Sequence, residues 1–326
     1  MLESPPRFPL ACLPTPIHRL PNLERRLKGP ELWVKRDDLT GLGGGGNKAR
    51  KLEFLVADAL AQGAQTLITT GAKQSNHARQ TAAAAAKAGL GAVLVLAPMA
   101  PPQITGNLLI DHLVGARIRW AGDRDRYGMM QEIAEEEKAA GRQPYIIPYG
   151  GSNAIGAAAY ALAMQELVEQ EEEMDLAFSH IVFATSSGGT QAGLVVGALA
   201  AGWEGTLVGI TVDKLADELS SAVLDLGRLT ATYLGLDDPP VRRDIQIHDE
   251  YLGEGYAIMG APEREAIRLV AETEGLLLDP VYTGRAMAGL IDLIRQGEFG
   301  EGDRVLFWHT GGMPALFAYA EELLSP

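Results

Sequence analysis

Two patterns of apolar positions alternate along the chain. Short runs rich in Val, Ile, Leu and Thr read as strands: ELWVKRDD (Glu31 to Asp38), TLITTG (Thr66 to Gly71), GAVLVLA, ARIRWAG, PYIIPYGG, IVFATSSGG and TLVGITVD. Between them lie longer stretches with apolar residues at helical spacing. KLEFLVADALA falls within Ala49 to Ala61, SNHARQTAAAAAKAG ends at Gly89, and MMQEIAEEEKAAG ends at Gly141. NAIGAAAYALAMQELVEQ and TQAGLVVGALAAGW continue the rhythm, and the acidic run EQEEEMD (Glu169 to Asp175) reads as a solvated helix end. Strand and helix in turn imply right-handed βαβ units, an α/β fold with a mainly parallel sheet, and ligands at the carboxyl ends of strands. No internal repeat of solenoid or propeller spacing is present.

Length and charge narrow this picture. A chain of 326 residues exceeds the size at which one core usually keeps growing, so two domains are expected. No low-complexity linker divides the halves, which makes the second domain an insertion entered and left by two chain crossings. Lys and Arg total 28 against 42 Asp and Glu, a net charge of −14, which disfavours nucleic acid or an anionic membrane as partner. A small anionic ligand in a local pocket remains compatible. Cys12 is the single cysteine, so no internal disulfide or thiolate cluster forms, and six scattered histidines offer no metal motif. The N-terminus MLESPPRFPLACLPTP is too acidic and proline-broken for a secretory signal, and runs such as AVLVLA are far short of a membrane span. A soluble cytoplasmic protein is the expectation.

Four apolar runs end in small polar residues. IVFATSSGGTQAG passes from a strand ending at Thr185 through Ser186 to Gly189 into a helix starting near Thr190. That turn aims backbone N–H groups, a helix dipole and the Ser187 and Thr190 hydroxyls at an anion; its plain alternative is a tight connection with Ser or Thr as N-cap. It matches neither a Walker loop nor the dinucleotide fingerprint. AKQSNHARQ opens a helix with Ser75, Asn76 and His77, as a carboxylate cradle or merely a capped helix. LLLDPVYTGRAMAG places Tyr282 and Thr283 in a turn after an apolar strand, and VLFWHTGGMPAL ends its strand at Thr310. In a parallel sheet such ends converge on one crevice. The remaining signal is GLGGGGNKARK, four glycines (Gly43 to Gly46) ahead of Lys48. A phosphate cup, a lysine behind a glycine turn and a group for a ring nitrogen together suit pyridoxal phosphate.

Taken together and in order, GGNKARKLEFL, QSNHAR, IPYGGSNAIG, SSGGTQAG, LDPVYTG and HTGG resemble the D-cysteine desulfhydrase / 1-aminocyclopropane-1-carboxylate deaminase family. Members are pyridoxal-phosphate enzymes of the tryptophan-synthase β-subunit fold type. The resemblance implies a large cofactor-binding domain from residues 1–50 and 160–326, with a small α/β domain inserted at 51–159. It makes Lys48 the Schiff-base lysine and Lys51 a contact to the cofactor phosphate. Asn76 then bonds the 3′-oxygen of the pyridine ring, and Ser75, Asn76 and His77 hold the substrate carboxylate. Ser187, Gly188, Gly189 and Thr190 form the phosphate cup, Tyr282 flanks the ring, and Thr310 stands near the ring nitrogen. Gly45 and Gly46 are expected to turn the backbone against the cofactor, while Gly43 and Gly44 let the inserted domain close. A homodimer is also implied, with the proline-rich N-terminus packed at its interface.

Within that family, cyclopropane deaminases resemble one another in carrying Glu and Leu where this chain has Thr283 and Thr310. A neutral hydroxyl at the ring nitrogen makes a weaker electron sink than a carboxylate would. Charge should then leave quickly through a group on Cβ, as in α,β-elimination from D-cysteine to pyruvate, hydrogen sulfide and ammonia. Lys48 is the first candidate for the proton-transfer base, with Tyr282 and Ser75 as participants. L-Cysteate sulfo-lyase, cyclopropane-acid deamination and non-catalytic binding of a phosphorylated metabolite are the alternatives. Lys73 stands where desulfhydrases carry an apolar residue, and either faces solvent or meets a second anion on the substrate. Ala257 occupies a place where the resemblance calls for a glycine turn.

Overall fold

The computed structural model describes residues 2–325. The chain opens with β1 (Ile17–Arg19), α1 (Pro21–Leu27) and β2 (Glu31–Lys35). There follow α2 (Lys48–Ala61), β3 (Thr66–Ala72), α3 (Asn76–Ala88), β4 (Gly91–Ala97), α4 (Gly106–Leu113), β5 (Arg117–Trp120), α5 (Arg126–Ala139) and β6 (Pro144–Ile146). It then forms α6 (Ala154–Met174), β7 (His180–Thr185), α7 (Gly189–Ala201), β8 (Thr206–Thr211), α8 (Ala216–Tyr233) and β9 (Gln246–His248). The last elements are α9 (Ala261–Glu274), α10 (Thr283–Gln296), β10 (Arg304–Trp308), α11 (Met313–Leu316) and α12 (Ala320–Leu324).

These elements form two sheets. The six-stranded sheet has the order β1-β2-β10-β7-β8-β9 and is parallel except for β1, which pairs antiparallel with β2. The four-stranded sheet, β5-β4-β3-β6, is parallel throughout. Both are covered on two faces, and the strand sequences say why. In β10, Val305 and Phe307 pack with α9 and α10, while Leu306 and Trp308, pointing the other way, pack with α6 and α7. In the smaller sheet Leu67, Leu94 and Leu96 face α2 and α3, while Ile68, Val93 and Val95 face α5.

The observed architecture is the expected α/β fold of mainly parallel sheets flanked by helices, with four departures in detail. The four polar-tipped runs do not belong to one sheet: β3 is in the smaller sheet, β7 and β10 in the larger. Leu276 to Asp279 is not a strand, because its polar groups are engaged elsewhere: Leu277 O accepts from His309 Nε2 and the Asp279 N–H donates to Thr283 Oγ1. The N-cap of α7 is Gly188 at φ 82°, not Ser or Thr. In EQEEEMD, Glu171 is buried and accepts from Phe178 N at 2.6 Å and Trp203 Nε1 at 3.1 Å. Within its own chain the N-terminal segment is anchored to α2: Leu10 is buried, and the N–H groups of Leu10 and Ala11 donate to Glu53. Among the described residues no helix is long and apolar enough to cross a membrane.

Candidate active site

A cavity opens where the carboxyl ends of β3, β7 and β10 face one another. Of the residues singled out from sequence, Lys48, Asn76, His77, Ser187, Gly188, Thr190, Tyr282 and Thr310 line it. Lys51 and Gly189 stand just behind that lining, bonded to groups of the same turn, and Ser75 caps α3: its Oγ accepts from Ala78 N at 3.1 Å.

Each group arrives there by a local rule. Lys48 is the first residue of α2, so Lys51 follows one turn later on the same face. The glycines ahead of it are required by the protein rather than by a ligand. A Cβ on Gly45 would lie 1.8 Å from Asp38 O, and one on Gly46 would lie 3.1 Å from Thr310 O. Gly43 and Gly44 also have positive φ and pack against Ala83 and Pro314, so the run is clamped, not slack. Thr40 Oγ1 grips Gly46 at both N and O, and Asn47 N donates to Thr310 O at 3.0 Å.

The lysines set the electrostatics. Burial lowers the Lys48 amine to about 8, against a hydrogen bond with Lys51 that works the other way. Burial, and then the neighbouring Lys48 charge, drive Lys51 well below the ordinary lysine range. Lys51 is fully buried, yet besides the Lys48 amine it meets just Gly150 O at 3.3 Å and Ser152 Oγ at 3.5 Å. No carboxylate reaches it. Ser152 Oγ also meets Ser187 Oγ at 2.8 Å and accepts from Gly189 N at 3.2 Å. A Cβ at Gly189 would sit 2.5 Å from Ser152 Oγ and 2.8 Å from Lys51 Nζ. A buried amine without counter-charge, two hydroxyls and the N-terminus of α7 thus converge where a side chain has been withheld, an anion cradle by construction.

The opposite wall carries neutral donors. Asn76 Oδ1 accepts from Asn107 Nδ2 at 2.8 Å, which leaves the Asn76 amide hydrogens for the cavity. Tyr282 OH lies 2.6 Å from Tyr256 OH, and Tyr149 joins them; burial first, and then its tyrosine neighbours, hold Tyr282 far above its usual range and therefore protonated. His77 pairs its Nε2 with Thr69 Oγ1 at 2.8 Å, while its buried Nδ1 has no partner. Burial and then the two lysine charges keep that imidazole neutral. Thr185 Oγ1 is likewise buried and unpartnered at the end of β7. Among the described residues lining the cavity there is no Asp, Glu or Arg.

Thr283 and Thr310 separate here. Thr310 lines the cavity, whereas Thr283 is fully buried beneath it and donates to Asp279 Oδ1 at 2.8 Å, tying the first turn of α10. Lys73 is exposed and borders a different groove with Gln74, Ala257 and Glu322. Ala257 does adopt the glycine-like conformation expected of it, at φ 61°.

Sequence reasoning missed Ser152, Tyr149, Tyr256 and Asn107. The first two lie in PYGGSN, where paired glycines ahead of Asn153, the N-cap of α6, marked a polar turn. No pattern in the chain marked Tyr256 or Asn107, which reach the site through contacts remote in sequence.

Residues 9–311 match the family described as pyridoxal-phosphate dependent enzyme. A D-cysteine desulfhydrase of Salmonella typhi is 46% identical over 320 residues, covering 96% of both chains. A Pyrococcus furiosus protein provisionally named 1-aminocyclopropane-1-carboxylate deaminase is 42% identical, over 100% of this chain and 97% of that protein. The solved structure of an ACC deaminase homologue superposes with a TM-score of 0.90 at 43% identity, covering 98% of this chain and 95% of that one. With a lysine amine held near 8 beside an unpaired cationic cradle, and relatives this similar across its length, the chain belongs to the pyridoxal-phosphate-dependent enzyme family.

Proposed function

We propose that the protein catalyses α,β-elimination on a small amino acid, D-cysteine first, giving pyruvate, hydrogen sulfide and ammonia. The residues present suit the cofactor: the cradle of Lys51, Ser152, Ser187 and Gly189 N would take its phosphate, the Lys48 amine its aldehyde, and Asn76 its ring oxygen. Thr190, Gly188, Tyr282 and Thr310 complete the wall around it. When bound, pyridoxal phosphate supplies a carbonyl carbon that captures an amine and a conjugated ring that accepts charge from the substrate Cα.

The chain's own groups do the rest. An amine near 8 is substantially neutral at mildly alkaline pH, so Lys48 Nζ can yield to a substrate amine and then take the proton from Cα. The N–H groups at the start of α3, with Ser75, Asn76 and His77, would hold the substrate carboxylate. Tyr282 keeps its proton and can donate a hydrogen bond to the departing sulfur, whose own hydrogen stays on it, so that the Cβ–S electron pair leaves on sulfur as HS⁻. Water then hydrolyses the enamine product to pyruvate and ammonia, which closes the atom balance.

One observation carries the choice of reaction. The cavity wall offers the Thr310 hydroxyl but no carboxylate, which favours rapid expulsion of a Cβ leaving group over a long-lived carbanion. A substrate with a second acid group would meet no free lysine or arginine on that wall apart from Lys48, and Lys73 faces another groove, which argues against L-cysteate. Keto-acid release from D-cysteine, L-cysteate, D-serine and the cyclopropane acid, measured side by side, tests the assignment. D-cysteine should react fastest; 2-oxobutyrate from the cyclopropane acid alone would overturn it.

We also take residues 1–50 with 160–326 as a cofactor-binding domain and 51–159 as an inserted one. The separate cores of the two sheets support this, although Leu10 packs with the smaller sheet. A cytoplasmic homodimer completes the proposal; light scattering on the purified protein checks its mass.

A further inference from the structure

Behind the cavity wall lies a buried group that the elimination does not use. Arg79, on α3, is fully buried. Its Nη1 donates to Gly43 O at 2.6 Å and Gly45 O at 3.0 Å, its Nη2 to Gly45 O at 3.0 Å, and its Nε to Asn107 Oδ1 at 2.8 Å. No carboxylate takes any of these donors; Asp111, the nearest acid influence, is itself raised to about 7 by burial, against the pull of Arg79, and one of its oxygens has no partner. A guanidinium spent on carbonyl oxygens acts through its rigid fork, fixing where those oxygens point.

Both arms lead to the cavity. One holds the glycine run immediately ahead of Lys48, whose far end is already clamped by Thr40 and Thr310. The other sets a polarity. A guanidinium can only donate, so it compels Asn107 to turn its oxygen inward and its NH₂ outward. That NH₂ donates to Asn76 Oδ1 and Gln74 O, both at 2.8 Å, while Asn107 N donates to Gln74 Oε1 at 2.8 Å. Asn76 must therefore present its own NH₂, not its carbonyl, to the cavity.

We propose that Arg79 is a positioning residue which, through Asn107, makes Asn76 an obligate donor and so selects a ligand ring bearing an acceptor oxygen there, while fixing the backbone that delivers Lys48. This rests on the reading of Asn76 as a cofactor contact.

The probes are pyridoxal phosphate and 3-deoxypyridoxal phosphate, which lacks that ring oxygen, each titrated into the cofactor-free protein. The wild type should prefer the oxygen-bearing aldehyde by about tenfold or more, the worth of a buried hydrogen bond. Asn107→Asp still accepts from Arg79 but cannot donate to Asn76; it should bind the two aldehydes within about twofold. Arg79→Lys should lose the preference too, and in addition melt lower, because the Gly43 and Gly45 carbonyls lose donors. Asn107→Asp that keeps the wild-type preference overturns the proposal. A wild type that binds both aldehydes equally overturns instead the reading of Asn76 beneath it.

Discussion

Helix α2 carries two buried basic groups side by side, and the protein treats them in opposite ways. Arg50 donates to both oxygens of Asp37 at 2.9 to 3.1 Å, to both oxygens of Glu166 at 2.8 Å and to Thr15 Oγ1 at 2.9 Å. Lys35 adds a 2.5 Å contact to Glu166, and Tyr160 OH another to Asp37. Burial opposes the Arg50 charge, but Asp37 and Glu166 outweigh it and hold the group well above its ordinary value. Lys51, one residue on and as deeply buried, has a carbonyl and a hydroxyl at the limit of bonding distance and is pushed far down. A paired buried charge is scaffold, here locking α2 to the larger sheet. An unpaired one is a site awaiting an anion.

That contrast can be broken most forcefully at Arg50. Arg50→Met leaves Asp37 and Glu166 without their partner and should cost about 3–5 kcal/mol in urea unfolding of the cofactor-free protein. Lys51→Met removes a buried amine that has no counter-charge and should leave the same transition unchanged or shifted to higher urea. Equal losses from the two would erase the distinction. Next in size, inorganic phosphate at a hundredfold excess over its dissociation constant should stabilise the cofactor-free wild type by about 2.7 kcal/mol, a gain that Lys51→Met should forfeit.

Asp111 is an intermediate case, a buried acid facing Arg79 without bonding it. Its carboxyl is raised from 3.8 to about 7, so the folded chain keeps a proton that the unfolded chain gives up. Stability from this group therefore falls as pH rises from 3.8 to about 7, and the loss is complete above that. Asp111→Asn should add on the order of 2 kcal/mol above pH 7 and almost nothing near pH 4; a pH-independent effect would point to packing instead. The smallest effect concerns backbone, not charge. Ala257→Gly relieves a left-handed alanine at φ 61° and should raise stability by about 0.5–1 kcal/mol, read as a small rise in melting temperature.

The alternation of strand and helix was legible because parallel strands buried on both faces leave continuous apolar runs, as in Thr66 to Ala72, and the helices between them keep their own period. Leu276 to Leu278 has the same composition but no neighbouring strand to pair with, a fact that no local pattern contains. At the site, the turns tipped with Ser187, Asn76 and Thr310 announced themselves, since polar residues after an apolar run have few other uses. Which of Lys48, Arg50 and Lys51 was free did not, because the answer depends on Asp37, Glu166 and Ser152, brought close only by folding. Thr283 illustrates the converse: its place in VYTG suggested a cavity hydroxyl, and its bond to Asp279 makes it a structural one.

Lys48 is the residue on which cofactor attachment turns. Borohydride reduction of the protein loaded with pyridoxal phosphate, followed by peptide mass mapping, should fix the cofactor on the peptide carrying Lys48 and abolish the visible absorption band. Attachment to Lys51 or to any other lysine, or a band that survives reduction, would contradict it.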